Sequence, residues 1–129
     1  MQRVLTPDDL KKGDLAEPGW YLLDIIDYTE EPADTDGSTN CIFHFKILAP
    51  EGPFKGIQPR KLFNEKALGF GKSLWVALNL PYQEGVGYTL TTDLFKQTIG
   101  HKVMGYIKRG KSNKGNEFND LADFRAATT

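Results

Sequence analysis

From Cys41 to Ala49 the chain alternates without a break: Cys41, Phe43, Phe45, Ile47 and Ala49 fall on one side, Ile42, His44, Lys46 and Leu48 on the other. Period two is the mark of a strand with one buried face; in a helix the same apolar residues would be scattered around the cylinder. Phe43 and Phe45 are thereby assigned to a core, and His44 and Lys46 to the outer side. Such a strand has to find neighbours for both edges and cover for its apolar face.

The neighbours are legible on either side. After Pro18-Gly19, the aromatic and branched run from Trp20 to Thr29 predicts a first strand, unbroken enough to be buried on both sides for part of its length. Glu30 to Asn40 is a polar loop; Asp34, Asp36 and Asn40 around Gly37 depart from calcium-loop spacing, so it reads as a solvated loop. Arg60-Lys61-Leu62-Phe63 predicts a third strand, with Pro59 tolerated at its start or edge. Ile99 to Phe124 predicts a hairpin: His101–Lys108 alternates, Arg109–Asn116 reads as a glycine-containing turn, and Glu117–Phe124 returns.

Three helical segments complete the string. Thr6-Pro7-Asp8-Asp9 is an N-cap with proline at the first helical position, and Lys11-Lys12-Gly13 closes that helix. Asn64 caps a second, in which Ala67, Leu68, Gly71, Leu74, Trp75 and Leu78 recur at helical spacing, Gly69 and Gly71 kink or delay it, and Pro81 stops it. Gln83–Tyr88 reads as a loop and Thr91–Gly100 as a short helix. The order of three strands, a helix and two strands fits a single domain over 1–129, mainly β, with residues 1–18 as an N-terminal extension. Its expected form is an OB-fold-like five-stranded Greek-key barrel, which places the 30–40 and 109–116 segments at the ends of one groove. A different five-stranded barrel or an α+β sandwich satisfies the same string.

Charge adds an asymmetry. The net charge is −1, yet residues 1–40 sum to −7 and residues 41–129 to +6. Between His101 and Asn116 the chain carries Lys102, Lys108, Arg109, Lys111 and Lys114 and no acid. A polyanion fits that face, while the acidic part discourages indiscriminate binding. The single cysteine, Cys41, excludes an internal disulfide, and with only His44 and His101 there is no zinc-ligand spacing. The polar start MQRVLTPDD and the want of a bilayer-length apolar run predict a soluble, cytoplasmic protein with no membrane partner.

No catalytic constellation or cofactor motif stands out. Gly71-Lys72-Ser73 lacks the first glycine of a phosphate loop, Lys66 standing in its place. Glu117, Asp120 and Asp123 are commonplace strand acids, so no metal is expected. Binding is the better-supported class. Lys102, Lys108, Arg109, Lys111 and Lys114 can neutralise phosphates, Tyr106 and Phe118 can stack on unpaired bases, and His44, Lys46, Arg60 and Lys61 would extend the positive floor. The bland alternative is that the two rings shield the barrel and the lysines keep a hairpin tip soluble.

Gly19-Trp20-Tyr21, Ile42–Leu48, Phe54-Lys55-Gly56 with Arg60-Lys61-Leu62-Phe63, Ser73-Leu74-Trp75, Ile99–Val103 and Gly115–Leu121 followed by Asp123-Phe124 together form a pattern. It resembles small bacteriophage single-stranded DNA-binding proteins long catalogued as a domain of unknown function. The resemblance implies an OB-fold, single-stranded DNA as partner, and work beside phage replication or recombination enzymes in the host cytoplasm. Ile57-Gln58-Pro59 lengthens the family's link before the third strand. Arg125–Thr129 lacks the acidic tail through which many such proteins recruit partners. A homo-oligomer is compatible with the sequence. The competing expectations are an adaptor that docks a phage or host replication or recombination enzyme, and an enzyme accessory domain.

Overall fold

The computed structural model describes residues 1–34 and 37–127, Asp8 by its backbone alone. Asp36 of the calcium-like loop and the last two residues of the Arg125–Thr129 terminus lie outside the described residues. Five antiparallel strands form one sheet: β1 (Gly19–Pro32), β2 (Thr39–Ala49), β3 (Arg60–Asn64), β6 (Lys102–Lys111) and β7 (Glu117–Ala126), in the order β3-β2-β1-β6-β7. The chain is thus mainly β, with short helices α1 (Pro7–Lys11), α2 (Lys72–Ala77) and α3 (Thr92–Gln97), and a two-stranded ribbon of β4 (Tyr82–Gln83) and β5 (Gly87–Tyr88).

The alternation of β2 is kept in space from Phe43 to Ile47, while Ile42 on the outer side is buried as well. Cys41, Phe43, Phe45 and Ile47 are buried on the inner face, joined by Tyr21, Leu23 and Ile25 of β1, Val103 and Ile107 of β6, and Leu121 and Phe124 of β7. β1 has one buried face and a half-buried outer one rather than two buried faces. A register shift at Ile25/Asp27, where Ile26 is the extra residue, bends it and moves its alternation by one, which is why its sequence reads as unbroken, while the shift at Leu22/Leu23 leaves Leu48 of β2 as the extra residue. The sheet is strongly curled: Phe45 of β2 and Phe124 of β7 stack with centroids 5.6 Å apart, although β1 and β6 lie between their strands.

The curl stops short of a closed barrel. β3 and β7 remain the two edges of the sheet, with no backbone ladder between them. The segment before β1 straddles this seam: Gln58 N–H donates to the Lys12 carbonyl at 3.3 Å on one side, and Ala16 N–H to Asn119 Oδ1 at 2.9 Å on the other. At five residues β3 is too short to make a long edge ladder in any case.

The expected helix from Asn64 is delayed, as its glycines suggest. Asn64 accepts from Lys66 N–H, but a 3₁₀ segment (Glu65–Gly71) precedes α2, with Ala67 out of helical geometry. A Cβ on Gly71 would stand 2.3 Å from the Trp75 ring, so glycine lets the backbone lie against the indole. The helix ends before Asn79, whose φ of 53° is left-handed, and not at Pro81. Trp75, Phe43, Phe63, Phe95 and Tyr28 then form one aromatic cluster, with Trp75 stacked on Phe95 at 5.0 Å. Among the described residues no helix is long and apolar enough to cross a membrane.

Candidate nucleic-acid interface

The seam between the edge strands is a cleft of about 590 Å³, lined by Lys12, Gly13 and Leu15, by Gln58 to Leu62, and by Glu117 to Asp120. It brings together three of the sequence-predicted residues, Arg60, Lys61 and Phe118, and adds Lys12, which belonged to a segment read only as a helix end. Folding supplied that residue: only the return of the N-terminal segment across the seam puts Lys12 beside β3.

Arg60 and Lys61 are neighbours in sequence and face opposite ways. Arg60 stands opposite His44 on the outer face, and Lys61 opposite the core residue Phe43. Lys61 Nζ reaches across the seam to Asp120 Oδ1 at 3.3 Å, and Lys108 Nζ stands 4.0 Å from Oδ2 of the same carboxylate. Lys61, expected on a positive floor, thus lies in the cleft with its charge matched by an acid of β7.

The hairpin needs a similar correction. Arg109, Gly110 and Lys111 belong to β6, and the turn is confined to 112–116, where Ser112 and Asn116 close it. The ladder continues through these residues because Glu117, Phe118 and Asn119 pair with them. Arg109 is occupied structurally: its Nη1 lies 3.1 Å from Glu117 Oε2, and its Nε donates to the Ala16 carbonyl at 3.3 Å. Of the five hairpin cations, Lys102, Lys111 and Lys114 make no ion pair among the described residues.

His44 is not a cation of the floor. Its Nε2 is hydrogen-bonded to Thr29 Oγ1 at 2.7 Å, and burial, opposed by Asp27 and aided by Arg60, pushes its pKa below the usual histidine value. The folded environment thus favours the neutral imidazole. Lys46 stands opposite Asp24 on β1, and Lys102 flanks the same aspartate from β6.

Phe118 lies over Gly110. A Cβ on Gly110 would come within 2.5 Å of the Phe118 ring, so glycine lets the ring lie flat on the hairpin while the residue stays 45% exposed. Tyr106 is four residues along β6 from Gly110, about 13 Å at roughly 3.3 Å per residue. It contacts Trp20 instead, edge to face at 5.5 Å. The loop between β1 and β2 is absent from the cleft lining, and the β1–β6 register puts it at the opposite end of β1 from the hairpin turn. The chain matches no protein-family model and no curated protein.

Proposed function

We propose that this protein binds single-stranded DNA, largely without regard to sequence, along the seam between β3 and β7 and the adjoining hairpin turn. One observation carries the reading: the acids of the cleft are already paired with cations, while Lys12 and Arg60 make no ion pair among the described residues. Glu117 is held by Arg109, and Asp120 by Lys61 with Lys108. A strand in the cleft would therefore meet Lys12 and Arg60, which make no ion pair among the described residues, with Lys111 and Lys114 in the adjoining hairpin, beside a half-exposed Phe118 ring on which a base can stack.

The strand order β3-β2-β1-β6-β7, with short helices between β3 and β6, supports an OB-fold-like barrel left open at its last seam. The resemblance to phage single-stranded DNA-binding proteins supports the same reading and suggests a role in replication or recombination. The role is non-enzymatic: the strand is held and covered.

The adaptor reading has its own observation. Phe70, at 88% exposure, and Val76 in the helical segments and Tyr82 on β4 are exposed apolar side chains between β3 and β6, a feature a docking partner could cover. The two readings separate on one comparison, a labelled oligo-dT against a duplex of equal length at low salt. Tighter binding of the single strand is expected. Equal affinity for both would remove the stacking element, and no binding to either would leave the adaptor reading standing.

A further inference from the structure

Beyond the seam, the outer face of β1, β6 and β7 holds two half-buried aromatic side chains and an exposed arginine. Trp20 and Tyr106 oppose each other across the β1–β6 ladder, their ring centroids 5.5 Å apart at 66°. From β7, the Arg125 guanidinium lies over the Trp20 ring, 4.3 Å from its centroid. The indole N–H, the phenol O–H and the guanidinium make no side-chain hydrogen bond or ion pair among the described residues. Asp123, the acid opposite Tyr106, accepts the Phe124 N–H at 2.9 Å.

A planar cation stacked on an indole, beside a second ring set on edge, is an arrangement that holds an unpaired base: the base stacks on the guanidinium or takes its place on the indole. The donors left over can meet base edges or phosphate oxygens. Lys102, which makes no ion pair among the described residues, shares the outward side of β6 with Tyr106, while Lys108 on its other side stands beside Asp120.

We propose that Trp20, Tyr106 and Arg125 form a second base-stacking station, so that a single strand leaving the seam at Phe118 continues along β6 to this face. The inference rests on the single-stranded DNA-binding reading and extends it to residues outside the cleft. The bound segment is accordingly longer than the seam alone would hold.

The two tryptophans make this testable in the full-length chain. Trp75 is 2% exposed and sealed under Phe95, so contact with a ligand reaches Trp20 alone. Oligo-dT is titrated while tryptophan emission and the anisotropy of a labelled oligonucleotide are followed in parallel. The expected result is quenching that saturates with the anisotropy, loss of the quenching in Trp20→Phe, and binding about 5- to 150-fold weaker in Tyr106→Leu, the range that one lost stacking contact covers. Arg125→Met keeps the Trp20 ring covered by an unbranched chain and is expected to weaken binding severalfold. Binding with unchanged tryptophan emission, and wild-type affinity in Tyr106→Leu and Arg125→Met, would overturn the second station while leaving the seam reading intact. An anisotropy that never rises would overturn both.

Discussion

Asn119 holds Ala16 with one end of its amide and the residue two before it with the other: Oδ1 accepts the Ala16 N–H at 2.9 Å, and Nδ2 donates to the Asp14 carbonyl at 2.8 Å. This grip, with Arg109 on the Ala16 carbonyl, fixes the N-terminal segment across the seam and so gives the cleft its Lys12 wall. Ala16 is fully buried, which makes its N–H costly to orphan. Asn119→Ala is expected to lower stability by about 1–3 kcal/mol, read as a fall in the urea midpoint. Asn119→Asp keeps the acceptor and loses only the donor to a more exposed carbonyl, so its loss is expected to be smaller.

The ion pair at the seam makes a prediction of opposite sign for binding. Asp120 restrains Lys61 and Lys108, with side-chain exposures of 26% for Asp120 and 28% for Lys61. Asp120→Asn frees both lysines and removes a negative charge from the cleft. Oligonucleotide affinity is expected to rise, and its salt dependence to steepen, while stability changes by no more than about 1 kcal/mol, the scale of a partly exposed pair. Unchanged affinity would place the strand elsewhere than the seam.

Gly110 offers a way to move a ring without deleting it. A methyl group there would sit within 2.5–2.9 Å of Phe118 ring atoms, so Gly110→Ala must lift the ring off the hairpin. The ring is half exposed and can swing away, so stability is expected to shift by no more than about 1 kcal/mol. Binding is expected to weaken in Gly110→Ala by about as much as in Phe118→Ala. A loss in Phe118→Ala with none in Gly110→Ala would mean that the ring is used away from its resting place.

Much of this was legible beforehand, and the failures have physical causes. The β2 alternation predicts the buried Cys41, Phe43, Phe45 and Ile47, because a strand in the middle of a sheet obeys period two, but not the burial of Ile42 on its other side. Arg109 and Lys111 were read as turn residues because their polarity suits a turn; their ladder partners, Asn119 and Glu117, lie after the turn and decide the matter. Which cations stay unmatched was beyond reading, since Asp120 meets Lys61 only through the curl of the whole sheet. The open seam and the part played by Lys12 follow from one asparagine's contacts, for which a sequence carries no period.

The lowered pKa of His44 fixes the sign of a pH effect. The folded protein holds this imidazole neutral, so the unfolded chain binds the proton more readily and stability rises with pH. Its contribution is complete above the unfolded value of about 6.5 and is lost as pH falls below it toward the folded value. The thermal midpoint is expected to drop between pH 7 and pH 5, and His44→Gln, which keeps a hydrogen bond to Thr29 without titrating, is expected to flatten that drop. Oligonucleotide affinity per se should not gain a cation from His44 near pH 7.

The central claim is that phosphates are met by the cations the fold leaves without an acid, and the salt dependence of oligo-dT binding tests it most directly. With Lys12, Arg60, Lys111 and Lys114 each neutralising one phosphate, log affinity is expected to fall against log salt with a slope of about −2.8, at roughly −0.7 per contact on a single strand. Lys111→Ala should reduce the slope by about one contact, and Arg109→Lys, whose cation is held by Glu117, should leave it unchanged. Binding that does not vary with salt, or an absence of binding at low salt, would contradict the account.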